Sequence, residues 1–421
     1  MTIFNPRRAV LTPFAIAITG GLSIGALSTG AQAAFIDDST NALLLRNFYI
    51  NRDFDDDASR SKAEEWTQSF IYNFKSGYTE GTVGFGLDVL AMTSIKLDGG
   101  GGTAGTQLLP VNNGQPADDF GRFAVAAKAK LSNTEARIGE WVVALPILRS
   151  DDGRSLPQTF RGAMVTSSEL DGLTLHGGQM RQNSPRESAS MDDMTLFGDA
   201  NAWSDRFNFV GAEYQLTPQT RVGAWHARLE DVYQQSYLQL LHTQPFTENV
   251  ALTANLGYFT GKDEGAARGG ELDNRTWSGL FGLQSGGHTV YLGLQKVSGD
   301  TGWMRVNGTS GGTLANDSYN SSYDNANERS WQVRYDYNFT AMGVPGLTFM
   351  TRYISGDNVQ NAATDDGKEW GRESELAYVF QSGAMKDLTL RWRQSSMRRD
   401  WNPNASFDEH RLIAQYPLNL F

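Results

Sequence analysis

Residues 331–339 read WQVRYDYNF, and the large apolar or aromatic side chains of this stretch alternate with polar and charged ones. Successive side chains of a β-strand point to opposite faces, so a period of two predicts a strand with one apolar and one polar face. The same alternation recurs at residues 66–74, 83–89, 123–131 and 388–393. We therefore expect a protein built almost entirely from strands.

Eighteen segments carry this pattern, and most are about ten residues long, the length that a tilted strand needs to cross a bilayer. Aromatic side chains gather near the strand ends, and short turns such as 132–133 and 217–219 alternate with long polar loops such as 299–329. These features favour an all-β fold, an 18-stranded antiparallel transmembrane β-barrel, over a soluble β-sandwich with the same local alternation. The candidate strands lie at approximately 44–52, 66–75, 82–93, 121–131, 135–143, 161–169, 173–182, 205–216, 220–229, 233–243, 249–260, 274–285, 288–298, 328–339, 346–356, 369–380, 387–397 and 408–418.

Composition narrows the function classes. A length of 421 residues fits either two or three soluble domains or one large barrel. The chain has no cysteine, which excludes a disulfide framework, a thiolate zinc site and a cysteine nucleophile. A net charge of −11 argues against nucleic acid as a partner. No segment after the N-terminal region approaches the roughly 18 apolar residues of a membrane helix, so a membrane crossing requires a closed sheet.

The N-terminal region predicts export. Arg7 and Arg8 precede the apolar stretch 9–27, and residues 31–33 read AQA, a small-x-small pattern that a signal peptidase accepts. A transmembrane anchor is the alternative, but glycine, proline and hydroxyl side chains within the stretch weaken it. We predict a signal peptide at residues 1–33 and a single transmembrane β-barrel domain at 34–421.

Several stretches carry a family likeness in order along the chain: 42–49 (ALLLRNFY), 70–82 (FIYNFKSGYTEGT), 229–233 (LEDVY), 330–336 (SWQVRYD), 343–350 (GVPGLTFM) and 411–418 (RLIAQYPL). They resemble the OprD-type substrate-specific porins. The resemblance implies an eighteen-stranded barrel in the outer membrane of a gram-negative bacterium. It also implies passive uptake of small carboxylate-bearing molecules through a constricted, basic-lined pore. Members differ in substrate, taking either basic amino acids and peptides or cyclic and aromatic acids, as in a benzoate- or vanillate-type branch.

A set of arginines on the last five strands falls on the inner face when the apolar face is turned toward lipid. This arginine file consists of Arg334, Arg352, Arg391, Arg393 and Arg411. Each guanidinium offers paired donors to a carboxylate, and a series of such sites passes an anion along without trapping it. The alternative is that these arginines are solvated or paired with Asp336, Glu373 or Glu375, since ion pairs of the surface type are common and weak.

The third outer loop, expected at residues 146–161, contains both arginines and acids and resembles the constriction loop of the family. Acidic side chains that face a basic wall would create a transverse field that orients a dipolar solute. Alternatively, ion pairs within the loop simply hold its shape. The residues assigned to the constriction are Arg122, Lys128, Lys130, Ser150, Asp151, Asp152, Arg154 and Ser155. A second constricting loop is expected at residues 300–329, where Trp303, Tyr319 and Tyr323 either line an apolar path or pack the loop.

These features predict passive, substrate-selective diffusion of small carboxylates, such as benzoate and other aromatic or cyclic acids. A channel for basic amino acids or small peptides and a less selective diffusion porin are the alternatives. The sequence has no nucleophile elbow, and its five histidines lack metal-ligand spacing, so no enzyme activity, catalytic residue, metal or cofactor is expected. The expected partners are small carboxylates and outer-membrane lipid, without nucleic acid, and the barrel is expected to be a monomer or a weak homotrimer.

Overall fold

The computed structural model describes residues 35–56 and 58–420, and in this part of the chain eighteen strands form one closed antiparallel sheet. Each strand pairs with its neighbours in sequence, and the last strand closes the sheet by pairing with the first, with Arg411 opposite Ile50. No helix within the described residues is long and apolar enough to cross a membrane. The prediction of an 18-stranded antiparallel barrel is confirmed, whereas the predicted signal peptide at residues 1–33 lies outside the described residues.

The strands of the barrel wall follow the chain in order. They are β1 (Thr40–Phe54), β2 (Lys62–Lys75), β3 (Gly84–Asp98), β4 (Asp119–Leu131), β5 (Thr134–Trp141), β6 (Thr159–Leu170), β7 (Leu173–Ser184), β8 (Phe207–Thr217), β9 (Thr220–Leu229), β10 (Tyr233–Thr247), β11 (Val250–Asp263), β12 (Asp273–Ser285), β13 (His288–Ser298), β14 (Arg329–Asn338), β15 (Leu347–Asn361), β16 (Thr364–Val379), β17 (Thr389–Arg399) and β18 (Phe407–Asn419). Short two-stranded hairpins lie in the loops at Val111–Asn112 with Gln115–Pro116, Ala144–Leu145 with Leu148–Arg149, and Met194–Leu196 with Asp199–Ser204, and 3₁₀ turns lie at Phe339–Met342 and Pro403–Ala405.

Several strands extend beyond their predicted outer ends. β3 continues to Asp98 and β15 to Asn361, because backbone pairing persists after the alternation of apolar side chains has ended. β5 instead stops at Trp141, two residues early. Val143 has left the wall and exchanges hydrogen bonds with Ser150, which starts the inward course of the following loop. The outer connections are also not uniformly long, since residues 230–232 and 362–363 are tight turns.

The two faces of the wall have the polarity of a membrane barrel. On the outer face, Trp277, Trp331 and Trp392 are exposed, as a lipid-facing surface requires. On the inner face of β14, Ser330 and Gln332 are buried although they are polar. A strand that alternates apolar-out and polar-in is the pattern of a barrel whose outside meets hydrocarbon and whose inside meets water.

The lumen is not evenly filled. Strands β8–β11 turn an apolar surface inward, and the loop 299–328 packs on it. We call this surface the aromatic wall: Phe207, Phe209, Trp225, Tyr233, Tyr237 and Phe259, with Trp303, Met304, Val306 and Leu314 from the loop. Burial of so much apolar surface on one side confines water to the opposite side, where β14–β18 carry the arginine file.

Candidate functional site

The loop 142–158 folds into the barrel and is fastened to the first two strands. Arg46 of β1 donates from Nη1 to Asp152 Oδ1 (2.8 Å) and to the carbonyl oxygen of Arg154 (2.8 Å). Ser155 exchanges a hydrogen bond with Thr67 of β2 (Oγ–Oγ1, 2.9 Å). Ser150 has a local role, because it closes the hairpin through the hydrogen bonds with Val143. The loop is therefore an ordered part of the lumen, and the strand β6 that follows begins at Thr159 rather than Arg161.

The loop 299–328 also enters the lumen and contacts both the first loop and the far wall. Thr313 Oγ1 donates to the carbonyl oxygen of Pro146 (2.8 Å), and the Ser310 amide donates to that of Arg149 (3.0 Å). On the far side, Arg411 Nη2 donates to the carbonyl oxygen of Tyr319 (3.1 Å). Together the two loops narrow the barrel to a cavity at their junction.

This cavity has a volume of about 820 Å³. Of the residues that the structure describes, nine arginines and five acidic side chains line it, an excess of positive charge in a protein that is acidic overall. The arginines are Arg52, Arg60, Arg149, Arg154, Arg186, Arg305, Arg393, Arg399 and Arg411, and the acids are Asp151, Asp152, Asp317, Asp324 and Glu187.

The arginine file lies on the inner face of β14–β18, and each of its members is paired with a carboxylate of the same wall. The pairs are Arg334 with Asp336 (Nη2–Oδ2, 2.6 Å), Arg352 with Glu373 (Nη2–Oε2, 2.5 Å), Arg391 with Glu375 (Nη1–Oε1, 3.5 Å), Arg393 with Glu375, and Arg411 with Glu409 (Nε–Oε1, 2.6 Å). The geometry thus combines the two interpretations that the sequence left open: the guanidiniums face the lumen and are also ion-paired. Their role in the substrate path stays a prediction.

Tyr319, at the tip of the loop 299–328, is packed among the arginines. The guanidinium carbons of Arg393, Arg352 and Arg411 lie 4.2, 5.1 and 5.5 Å from the centre of its ring. Its amide donates to Glu373 Oε1 (3.0 Å). Burial raises the pKa of Tyr319 to about 12, so the phenol stays neutral. Tyr319 keeps part of its surface exposed, whereas Trp303 and Tyr323 are buried and pack the loop.

The acids of the constriction are largely engaged. Asp151 Oδ2 lies 2.5 Å from Arg186 Nη1, and Asp152 is paired with Arg46. Burial alone would raise the pKa of Asp151, but the Arg186 and Arg154 guanidiniums and a hydrogen bond from the Gly153 amide together outweigh burial and hold that pKa below its usual value. Asp317 has no ion pair within the described residues; its Oδ1 accepts from Ser322 Oγ (2.7 Å). Burial raises the pKa of Asp317 to about 6.

Arg154 is a deeply buried cation of the cavity that has no carboxylate partner among the described residues. It donates to the carbonyl oxygens of Thr106 (2.9 Å) and Gly153 (2.9 Å). Burial lowers the pKa of Arg154 well below its usual value, and the neighbouring charges of Arg186 and Arg411 lower it further. A buried cation without a counter-ion is costly, so the site favours an anion beside Arg154.

The basic residues assigned to β4 are not brought together. Arg122 lies beneath the constriction loop and donates to the Ser184 hydroxyl (2.7 Å) and to the carbonyl of Pro157. Lys128 is six residues further along the strand, roughly 20 Å away. It pairs with Asp88 (2.8 Å). Lys128 and Lys130 both lie over the ring of Tyr78, at the inner end of the barrel. The prediction that Lys128 and Lys130 join the constriction is therefore wrong, because both lie near the inner mouth of the barrel.

Sequence reasoning missed several residues of the site. Arg46 and Arg52 on β1 were not assigned, because both faces of that strand carry apolar side chains and leave its phase ambiguous. Arg186 and Arg305 lie in irregular loops, where no periodicity places a side chain. Glu409 was detectable, since it stands two residues before Arg411 and therefore shares its face.

Comparison with known proteins agrees with this geometry. A family model described as outer membrane porin, OprD family, matches residues 33–420. The chain is 62% identical over 406 residues to the porin-like protein GalP of Pseudomonas putida, covering 96% of this chain and 97% of that protein.

Solved structures agree as well. A BenF-like porin from Pseudomonas fluorescens superposes with a TM-score of 0.90 at 62% identity, over 92% of this chain and all of that one. Pseudomonas aeruginosa OccK2 in complex with glucuronate superposes with a TM-score of 0.85 at 59% identity, over 92% of this chain and 100% of that one. Pseudomonas aeruginosa OpdK with vanillate superposes with a TM-score of 0.86 at 48% identity, over 91% of this chain and 99% of that one. The chain therefore belongs to the OprD family of outer-membrane porins.

Proposed function

We propose that this porin passes small carboxylates selectively and passively, with aromatic or cyclic acids such as benzoate as its preferred substrates. The observation that carries the proposal is the arginine-rich cavity between the two inward loops. Fixed charges at a narrow point select ions by sign, and guanidiniums match the geometry of a carboxylate.

Donors are available to a carboxylate at several points of the cavity. Within the described residues, Arg60, Arg149 and Arg154 have no carboxylate partner, and Arg393 pairs with Glu375 only through Nε. A carboxylate can thus accept from Arg154 near the first loop and from the terminal nitrogens of Arg393 on the far wall. Such a series binds an anion weakly at each step, which suits conduction better than one tight site.

Aromatic side chains support the choice of ring-bearing acids. Phe197 and Tyr319 lie on the cavity, and each contacts a guanidinium, with Arg305 only 3.7 Å from the centre of the Phe197 ring. The solved relatives that carry glucuronate and vanillate hold ring-bearing carboxylates of similar size.

A channel for basic amino acids is the second candidate, since five acidic side chains also line the cavity. It is less favoured, because Asp151 and Asp152 are paired with arginines and a substrate cation would have to displace them. A general diffusion pore is the third candidate, and it predicts no preference between charged and neutral solutes of one size.

Uptake into liposomes tests the proposal. Benzoate, the neutral and nearly isosteric benzamide, and arginine are offered to liposomes that contain the porin, with protein-free liposomes as the control for leakage. We expect benzoate to enter faster than benzamide and to be slowed by other carboxylates. Equal rates for benzoate and benzamide would support the general pore instead, and preferential arginine uptake would support the basic amino-acid channel.

A further inference from the structure

Four cations occupy the outer face of four neighbouring strands near the end that carries the long loops. They are Lys262 of β11, Arg275 of β12, Lys296 of β13 and Arg329 of β14, and all four are exposed. Each has the phase of the lipid-facing side chains. Arg275 and Arg329 stand two residues from the exposed Trp277 and Trp331. We call these four residues the cationic rim patch.

The strand register brings two of these charges face to face. Lys296 is directly opposite Arg329 in the β13–β14 pair, and Trp277 is opposite Lys296 in the β12–β13 pair. Directly opposed side chains of an antiparallel pair have Cβ atoms about 5 Å apart, and like charges in that position are destabilising. A compact arrangement of this kind therefore favours an anion that sits between the two charges.

The protein itself supplies only part of the counter-charge. Asp273 lies 3.4 Å from Arg275, and Asp357 lies 2.8 Å from Arg329. Neither Lys262 nor Lys296 has an ion-pair partner among the described residues. Two carboxylates lie within ion-pair distance of the four cations, and one of them, Asp273, also stands opposite Lys262 in the β11–β12 pair. The cations therefore outnumber these carboxylates by two, on a chain whose net charge is −11.

The height of the patch identifies the anion. Tyr258, Trp277, Trp331 and Tyr353 form an exposed aromatic band on β11–β15, the position of an interfacial girdle in a membrane barrel. Lys296 is directly opposite Trp277 of this band. Arg275 and Arg329 each lie two residues beyond a tryptophan of the band, on the side of the long loops. Basic side chains at that height meet the headgroups of the outer leaflet. Phosphate groups are the anions that a lipid headgroup presents there.

We propose that the cationic rim patch binds the phosphate groups of a phosphorylated glycolipid of the outer leaflet. Lys296 and Arg329 hold one phosphate between them, and Lys262 and Arg275 extend the site along the rim. The bound phosphate relieves the repulsion between the opposed charges. This site is independent of the substrate and lies on the outside of the barrel.

Native mass spectrometry of the purified porin in detergent tests the proposal, with bisphosphorylated lipid A and its dephosphorylated form as probes and a chelator present throughout. The variant is Lys296→Gln with Arg329→Gln. The matched control is Arg228→Gln, an exposed outward arginine of β9 that is paired with Glu264 and has no cation directly opposite it on either neighbouring strand. Each removed charge should weaken binding of bisphosphorylated lipid A about fivefold. The control and the charge-preserving variant, Lys296→Arg with Arg329→Lys, should bind like wild type.

The dephosphorylated lipid should bind wild type and variant equally weakly. Equal binding of bisphosphorylated lipid A by wild type and the double glutamine variant would overturn the proposal. So would binding that appears only when divalent cations are restored, because the rim acids would then hold the lipid through a bridging metal. The thermal unfolding midpoint in lipid-free detergent should change little in the glutamine variant, because removal of the repulsive pair offsets the loss of the exposed Arg329–Asp357 ion pair.

Discussion

The aromatic wall and the charged wall formed by β14–β18 enclose the same lumen but are held together differently. On the aromatic wall, Tyr237 stacks on Phe259 with ring centres 4.0 Å apart, and the edge of Trp303 meets Phe259 at 5.2 Å. On the charged wall, the buried Arg411 and Glu409 are joined by an ion pair. A polar atom without a hydrogen-bond partner costs the apolar wall little stability, whereas a buried charge without a counter-ion is strongly destabilising.

The difference between the two walls has a functional consequence. The loop 299–328 lies across both walls, with Trp303 on the aromatic one and Tyr319 among the arginines of the other. Packing on the first wall fixes the loop. Its tip covers Arg352 and Arg411 of the second wall, whereas Arg391 and Arg393 stay partly exposed. An ion-paired wall is also a wall whose charges are held in place, so under the proposed function it would present guanidiniums at fixed positions to a passing anion.

The largest effect is expected from breaking the charged wall at Glu409, which is fully buried between Arg52 and Arg411. Glu409→Ala leaves the buried Arg411 and the partly buried Arg52 without their shared counter-ion and should lower the free energy of unfolding by about 3–5 kcal/mol. Asp408→Ala is the matched control. Its carboxylate, the partner of Arg398, is half exposed and should contribute less than about 1 kcal/mol. Urea unfolding of the two variants in detergent checks this, and similar losses for both would contradict the account.

A smaller effect is expected when charge is removed from the wall without unfolding it. Arg391→Gln combined with Arg393→Gln deletes two lumen-facing guanidiniums and should slow benzoate uptake by about tenfold, the loss expected for one charge-assisted hydrogen bond. Arg398→Gln, on the outward phase of the same strand, should leave uptake unchanged. Unaltered benzoate uptake by the double variant would remove these two arginines from the proposed path.

A still smaller effect is expected from Asp317, which lines the cavity and whose pKa burial raises to about 6. Because its carboxyl is ionised at pH 7.5 and protonated at pH 5, the anion preference of the wild-type pore should rise a few-fold as the pH falls through 6. Asp317→Asn should show the higher preference at both pH values. Because the pKa of Asp317 is raised from its ordinary value of 3.8 to about 6 in the folded state, stability falls as the pH rises between these values, and the full cost is present above pH 6. Asp317→Asn should therefore also raise the unfolding midpoint at pH 7.5. Reversal potentials at the two pH values decide this, and an identical pH response in the variant would exclude Asp317.

The smallest effect is expected on the aromatic wall. The hydroxyl of Tyr237 is buried and has no hydrogen-bond partner within the described residues, so Tyr237→Phe should leave the free energy of unfolding unchanged or raise it by up to about 1 kcal/mol. Phe259→Ala is the positive control, and it should cost about 3–5 kcal/mol through the lost stack. Destabilisation by Tyr237→Phe would show that the hydroxyl makes a stabilising hydrogen bond. The two walls would then differ less in their dependence on polar partners.

The barrel was predictable because its signal is local. Alternation in a stretch such as 331–339 fixes which side chains face lipid, and it placed Arg334, Arg391 and Arg393 on the inner face. The partners Asp336, Glu373 and Glu375 were also within reach, since they lie on the same or neighbouring strands.

The rest of the site depends on contacts that no local pattern encodes. The loop 142–158 is fixed by Arg46, more than a hundred residues earlier, and Arg186 and Arg305 reach the cavity from irregular loops. For Lys128 and Lys130, the alternation correctly predicted that the side chains face inward. It did not predict how far along the barrel axis they lie from the constriction. Period and phase are local quantities, whereas depth in the barrel and loop docking are tertiary ones.

The charge selectivity of the pore is measured as the reversal potential of single wild-type channels in a planar bilayer under a KCl gradient, followed by addition of benzoate. If fixed guanidiniums in the narrow lumen select carboxylates, the channel should prefer chloride to potassium, and benzoate should reduce the current in a concentration-dependent way. A preference for potassium, with a current that benzoate leaves unchanged, would contradict the account.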